Sequence, residues 1–215
     1  MKHGVEFKIG DKVYHSSEWG LILSSFNMGI PSPKTEYVDL VGGNGKIDLT
    51  EVYGEIFYDN RKGTIEFTCL DSVRFDETLD KIMAFLHGQE CHITVYYDTL
   101  FYYVGRVSVN KYKTSKALAQ ITLSITAEPY KLKQYETILD TDVTEETEIN
   151  CLNDRMECVP IFITDSPMNF TFKGVSYAIS AGETILPDVI FTEGSNILKI
   201  TGNGNIKVKY REGRL

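Results

Sequence analysis

Cysteine, histidine and tryptophan are all scarce, at four, four and one among 215 residues. Cys69, Cys91, Cys151 and Cys158 form no C-x-x-C pair and match no structural zinc spacing. Four cysteines in so long a chain do not make a disulfide scaffold. Long hydrophobic runs are also missing. The longest, such as residues 159–163, reach about five residues, against the roughly 20 a membrane helix needs. The opening segment, Met1 to Lys8, lacks the apolar core of a signal peptide, so the chain reads as made and folded in a cytoplasm. Basic charge is short as well: 22 Lys and Arg stand against 30 Asp and Glu, a net charge of −8. Residues 1–130 carry 13 basic and 17 acidic groups and residues 131–215 carry 9 and 13, so neither part is basic. Phosphate binding by counterion release needs clustered Lys and Arg, which argues against nucleic-acid binding and against anionic membrane surfaces.

What is present is an ordinary globular composition, 42% hydrophobic, 12% aromatic and 24% charged, of a length that allows one large domain or two small ones. Most of it carries the period-2 signature of half-buried strands. In residues 119–127, Ala119, Ile121, Leu123, Ile125 and Ala127 alternate with polar residues. Near the end, Ile206, Val208 and Tyr210 alternate with Lys207, Lys209 and Arg211. Lys173-Gly174 separates two further strands as a tight turn or bulge, and Gly42-Gly43-Asn44-Gly45 reads as a turn. Dense turn punctuation between short strands predicts sandwiches or barrels.

One helix interrupts the pattern, expected near 76–87. Leu79, Ile82, Met83 and Leu86 have helical spacing, Asp76 suits the N-cap, and Gly88 suits the position after the last turn. A hairpin should follow, with residues 92–97 and 101–109 flanking Asp98-Thr99-Leu100, and with Tyr96, Tyr97, Phe101, Tyr102 and Tyr103 around its tip. The domain boundary is expected at Glu128-Pro129-Tyr130, giving domains 1–130 and 131–215. Residues 136–148, six acids without a base, read as a solvated linker or an edge strand.

Candidate chemistry is thin. Asp48 and Glu51 could serve a glycosidase in principle, but thirty acids make accidental pairs common. His87, Cys91 and His92 are the densest His/Cys cluster and lack a fourth metal ligand. His87 reads instead as bonding to the last helical carbonyls or capping the helix dipole, and Cys91 as a small buried hydrophobe. Cys151 and Cys158 read as free thiols and Trp19 as core. No G-x-S-x-G elbow, H-E-x-x-H pair or phosphate-binding loop occurs. The expectation is therefore no enzyme, no catalytic residue, no metal and no cofactor.

Ordered segments carry the reading further. They run from Gly20-Leu21-Ile22-Leu23 and Pro33-Lys34 to Val38-Asp39-Leu40-Val41-Gly42-Gly43-Asn44-Gly45-Lys46-Ile47-Asp48-Leu49-Thr50. Then come Tyr58-Asp59-Asn60-Arg61 leading to Ile65-Glu66-Phe67, Phe85-Leu86-His87-Gly88, and Tyr102-Tyr103-Val104-Gly105-Arg106. Gly194-Ser195-Asn196, Ile200 to Gly204 and Tyr210 to Leu215 close the series. Together they resemble the distal tail protein (Dit) family of siphophages, in its short form without inserted carbohydrate-binding modules. One departure is Val41-Gly42-Gly43, where relatives often carry a proline before the glycine.

The resemblance implies a mainly β fold: an N-terminal β-sandwich-like domain with one helix and a smaller galectin-like C-terminal β-sandwich. It implies a structural role in the virion at the phage tail tip. There a hexameric ring would join the tail tube to the baseplate or tip proteins, with a receptor-binding protein as a further partner. DNA would pass through the lumen without specific binding, and no membrane is involved. Ring contacts are expected on the 92–109 hairpin and the 42–50 loop, with Asn44, Asp48, Tyr97, Tyr102 and Arg106 as candidates. The competing expectation is a carbohydrate-binding β-sandwich for host-surface attachment.

Overall fold

The computed structural model describes residues 3–52, 54–69, 75–114 and 118–215, and the chain divides into two compact units, Met1–Pro129 and Tyr130–Leu215. The fold is mainly β, as the alternating pattern predicts.

The first unit contains β1 (Val5–Ile9), β2 (Lys12–His15), β3 (Leu21–Met28), β4 (Tyr37–Asp39), β5 (Lys46–Asp48), β6 (Arg61–Cys69), α1 (Phe75–Leu86), β7 (Glu90–Val95), β8 (Asp98–Thr114) and most of β9 (Ala119–Lys133). Its main sheet runs β2-β1-β7-β8-β9-β6-β3. β6 and β9 pair from Arg61↔Ala127 to Cys69↔Ala119, which sets their odd-numbered residues on one face. That face is the core: Ile65, Phe67, Ile121 and Leu123 are buried there with Phe7 and Ile93.

α1 meets this core through Phe75, Ile82 and Leu86, with Leu79 and Phe85 packed beside them. Two expectations change here. Met83, placed on the inner face by spacing, is 41% exposed, because the buried stripe runs through Phe75 and Leu79 instead. Asp76 lies inside the first turn, since the helix already starts at Phe75; there its charge favours the helix N-terminus without capping it. Gly88 follows the helix at φ +77°, as the C′ position asks. Trp19 is half-buried, stacked on Tyr14 at 5.7 Å and 6.1 Å from Phe85, in an aromatic group at the margin of the core.

The second unit contains β10 (Thr137–Val143), β11 (Thr147–Asn153), β12 (Ile161–Thr164), β13 (Met168–Phe172), β14 (Val175–Ile179), β15 (Gly182–Ile185), β16 (Gly194–Thr201), β17 (Gly204–Tyr210) and β18 (Gly213–Arg214). Two four-stranded sheets, β10-β17-β12-β15 and β11-β16-β13-β14, enclose Phe162, Phe170, Phe191, Leu198, Ile206 and Val208. This is a β-sandwich. β18 pairs with the end of β9 through Gly213↔Leu132 and Arg214↔Lys131. Lys173 (φ 48°) and Gly174 (φ 82°) form the two-residue turn between β13 and β14, a conformation Gly adopts freely and Lys at some cost. The acidic run is no linker: β10 and β11 are edge strands, one in each sheet.

Candidate assembly surface

Between β3 and β6 the chain leaves the main sheet, and every residue from 32 to 48 is exposed. Its base is tied by backbone bonds: Lys34 N–H donates to Phe57 O at 2.8 Å, and Asp59 N–H to Ser32 O at 2.9 Å. Beyond the base, β4 and β5 pair alone through Tyr37↔Asp48, Val38↔Ile47 and Asp39↔Lys46. Gly42 (φ +81°) and Gly45 (φ +83°) let residues 40–45 reverse direction, in keeping with the expected turn, and Asn44 lies between them. Asp48 accepts the Thr50 N–H at 2.9 Å, and its hydrogen bonds from Thr50 hold its carboxyl below the usual carboxylate range. That bond gives Asp48 a local structural use.

This arm is apolar without having a core. Ile30 is 92% and Val41 fully exposed, and Tyr37, Leu40, Ile47 and Phe57 are each about half exposed. An isolated two-stranded hairpin is marginally stable in water, so such an arm gains by packing on something else. The alternation in this stretch is visible in the sequence. What the sequence lacks is any sign that its apolar side has nothing of its own chain to cover it.

The other candidates occupy different surroundings. The hairpin after α1 turns at Tyr96-Tyr97 rather than at Asp98-Thr99-Leu100, because β8 already pairs with β7 at Val95↔Asp98. Tyr97 is 61% exposed and meets Phe26 edge-on at 6.3 Å; partial burial, then Tyr103, Tyr96 and Asp98, push its hydroxyl pKa up. Tyr102 is buried and stacks on His92 at 4.4 Å. Arg106 Nη1 donates to Gly88 O at 2.6 Å, and its Nη2 lies 3.8 Å from Glu90 Oε2. It lines a groove of about 580 Å³ with Asn60, Glu90, Ser108, Thr126 and Glu128. Burial first, and the Glu90 charge second, raise the pKa of Glu128.

Asn60 also lines a hollow of about 740 Å³ with Ile30, Lys34 and Lys62. Lys34 in turn lines one of about 350 Å³ with Leu49, Thr50 and Phe57. The first two hollows share Asn60 and the last two share Lys34, at the arm's base; Tyr97, Tyr102 and Asp48 line none of them.

The catalytic and metal candidates have structural occupations. His87 Nδ1 accepts the Val109 N–H at 3.1 Å, so this ring nitrogen serves β8 rather than the helix carbonyls. Cys91 is buried, and burial pushes its thiol up to about 12, as suits a small hydrophobe. Cys151 and Cys158 are free thiols. Among the described residues, no group of three or more His, Cys, Asp and Glu could hold a metal ion, and no helix is long and apolar enough to cross a membrane.

No family model matches the chain, and no curated protein matches it in sequence. Solved structures do match. The Dit protein of phage SPP1, described as a paradigm of the hub adsorption apparatus in phages infecting Gram-positive bacteria, aligns with a TM-score of 0.68 at 10% identity. The alignment covers 99% of each chain. A chain of the phage p2 baseplate, in its activated conformation with strontium, aligns at TM-score 0.47 and 5% identity over 97% of each chain. The chain thus has the fold of a siphophage Dit protein from end to end.

Proposed function

We propose that this protein is a structural hub of a phage tail: a ring at the distal tip joining the tail tube to the baseplate or tip proteins. The observation that carries this reading is the fold shared with SPP1 Dit over 99% of both chains. The exposed arm supports it. A closed ring of identical chains needs a heterologous contact, one patch of each copy meeting a different patch of the next. Val38, Leu40, Val41 and Ile47 supply one exposed apolar patch, and the hollows beside Asn60 and Arg106 supply a different, receptive one. In this reading the ring is a hexamer and the C-terminal sandwich is the galectin-like domain. Asn44 and Asp48 shape the arm, while Tyr97 and Arg106 are exposed enough to meet a neighbour.

DNA would pass through the lumen unbound. The 17 acidic and 13 basic groups of residues 1–130 leave that part net negative, which disfavours adhesion of phosphate. The role is architectural rather than catalytic.

The experiment is a Val41→Asp variant, compared with the parent by light scattering. Because Val41 is fully exposed, the variant should keep the parent's melting temperature and lose the assembled species. An unchanged assembled mass would reject the arm as the ring contact.

A further inference from the structure

The two open sides of the C-terminal sandwich differ in kind. On one side lie the edges β10 and β11, with Glu136, Asp140, Asp142, Glu145, Glu146 and Glu148 in and around them. Charged side chains of one sign along an edge discourage pairing with another strand. On the other side lie β14 and β15, consecutive in sequence and each the last strand of its sheet. β14, Val175-Ser176-Tyr177-Ala178-Ile179, carries no charge, proline or bulge. β15 adds a single carboxylate, Glu183.

The hydrogen-bonding groups of this edge can be assigned. With a two-residue turn at Lys173-Gly174, Phe172↔Val175 and then Phe170↔Tyr177 are the hydrogen-bonded pairs. Ser176 and Ala178 therefore turn their backbone N–H and C=O away from β13, towards the open side. Beside this row lies a groove of about 320 Å³ lined by Phe172, Val175, Tyr177, Ile190, Asp188 and Glu157. Val175 is 53% exposed and Ile190 38%, although both border a floor formed by the buried Phe172. Glu157 and Asp188 are exposed, and the one cation at the groove, Lys173, is turned back over the Phe172 ring at 5.1 Å.

We infer that β14 is a strand-addition site for an extended segment of another protein, which pairs with Ser176 and Ala178, sets an apolar side chain beside Val175 and Ile190, and presents a basic side chain to Asp188 and Glu157. Main-chain bonds supply affinity in this mode and alternate side chains supply selectivity. A second copy of this chain fits poorly. Antiparallel β14–β14 pairing would bring two acidic grooves together, and the apolar arm carries Glu36, Asp39 and Asp48 against Lys34 and Lys46. The inference does not depend on ring formation.

The test is selection of a library of random peptides of about ten residues against the full-length protein. The expected winners alternate β-branched or aromatic residues with polar ones and contain Lys or Arg. Ala178→Pro removes an outward N–H while sparing the β13 pairing, and should weaken the selected peptides by about tenfold or more. The double charge reversal Glu157→Lys with Asp188→Lys, both at exposed positions, should shift selection towards Asp- and Glu-bearing peptides. Failure to enrich any peptide would overturn the inference, as would peptides that bind both variants as well as the parent. Binding of a glycan in the groove, or self-association abolished by Ala178→Pro, would replace the proposed occupant with another and equally overturn it.

Discussion

The Arg61 side chain, 5% exposed, donates from Nε to the carbonyl oxygen of Pro129 at 3.0 Å. Its Nη2 donates to the same oxygen, and its guanidinium lies 5.2 Å from the centre of the Tyr103 ring. Arg61 is the first residue of β6 and the last of the Tyr58-Asp59-Asn60-Arg61 segment, while Pro129 is the last residue of the first unit. The segment thus has a physical purpose: its arginine pins β9 where that strand leaves one unit for the next. Burial lowers the pKa of Arg61, yet the group stays charged at any ordinary pH.

Arg61→Ala should therefore destabilise the first unit by about 2–4 kcal/mol, since it removes a charge-assisted bond and leaves the Pro129 carbonyl short of a partner. Urea unfolding followed by Trp19 fluorescence reads that unit, because Trp19 is the chain's one tryptophan. Arg61→Lys should recover only part of the loss, as an ammonium cannot hold the same two-donor geometry.

Gly105 should tolerate no side chain. A Cβ there would lie 2.8 Å from the Ala127 Cβ, 2.9 Å from its Cα and 3.0 Å from the Thr126 carbonyl, two of them backbone atoms that cannot swing aside. Gly105→Ala is expected to cost about 1–3 kcal/mol in the same urea assay. A loss within a few tenths would show that β8 and β9 approach less closely than described.

Two carboxylates, Glu136 in the second unit and Glu128 in the first, should respond to acid with opposite sign. Glu136 is held below the usual carboxylate range, first by its hydrogen bond from Lys209, whose Nζ is 2.8 Å away, and then by the Lys209 and Arg211 charges. A depressed carboxylate pKa contributes stability above its unfolded value, and that stability is lost as pH falls through the folded one. Glu136→Gln should thus lower the second unit's melting temperature at neutral pH, with the gap closing below about pH 4. Glu128 has a raised pKa, so its ionised form opposes folding at neutral pH. Glu128→Gln should raise the first unit's melting temperature there, and the advantage should fade as acid protonates the parent. Thermal melts of both variants across pH check the pair of signs.

Much of this fold is legible in the sequence where one face of a strand is buried and the other wet. Residues 119–127 alternate because Ala119, Ile121, Leu123, Ile125 and Ala127 face the core, and the Ile206, Val208, Tyr210 series does the same in the sandwich. The turn at Tyr96-Tyr97 was not legible, since tyrosine favours strands while Asp98-Thr99 has the chemistry of a turn. Met83 sits at the edge of the helical apolar stripe, where spacing does not separate buried from exposed positions. Of the candidate surface, the turn at residues 42–45 is legible from its glycines. Its main property, apolar side chains such as Val41 with nothing of their own chain to cover them, follows from tertiary position, which no alternation encodes. Tyr102, a ring-contact candidate by its place on the hairpin, is buried and packs on His92.

Closure into a ring, as proposed above, is tested by the mass in solution from light scattering, with electron imaging of the same sample. The expected species holds about six 24.4 kDa chains and appears as closed six-fold rings with an open centre. A protein that stays monomeric at every concentration, or that grows into open filaments, would contradict it.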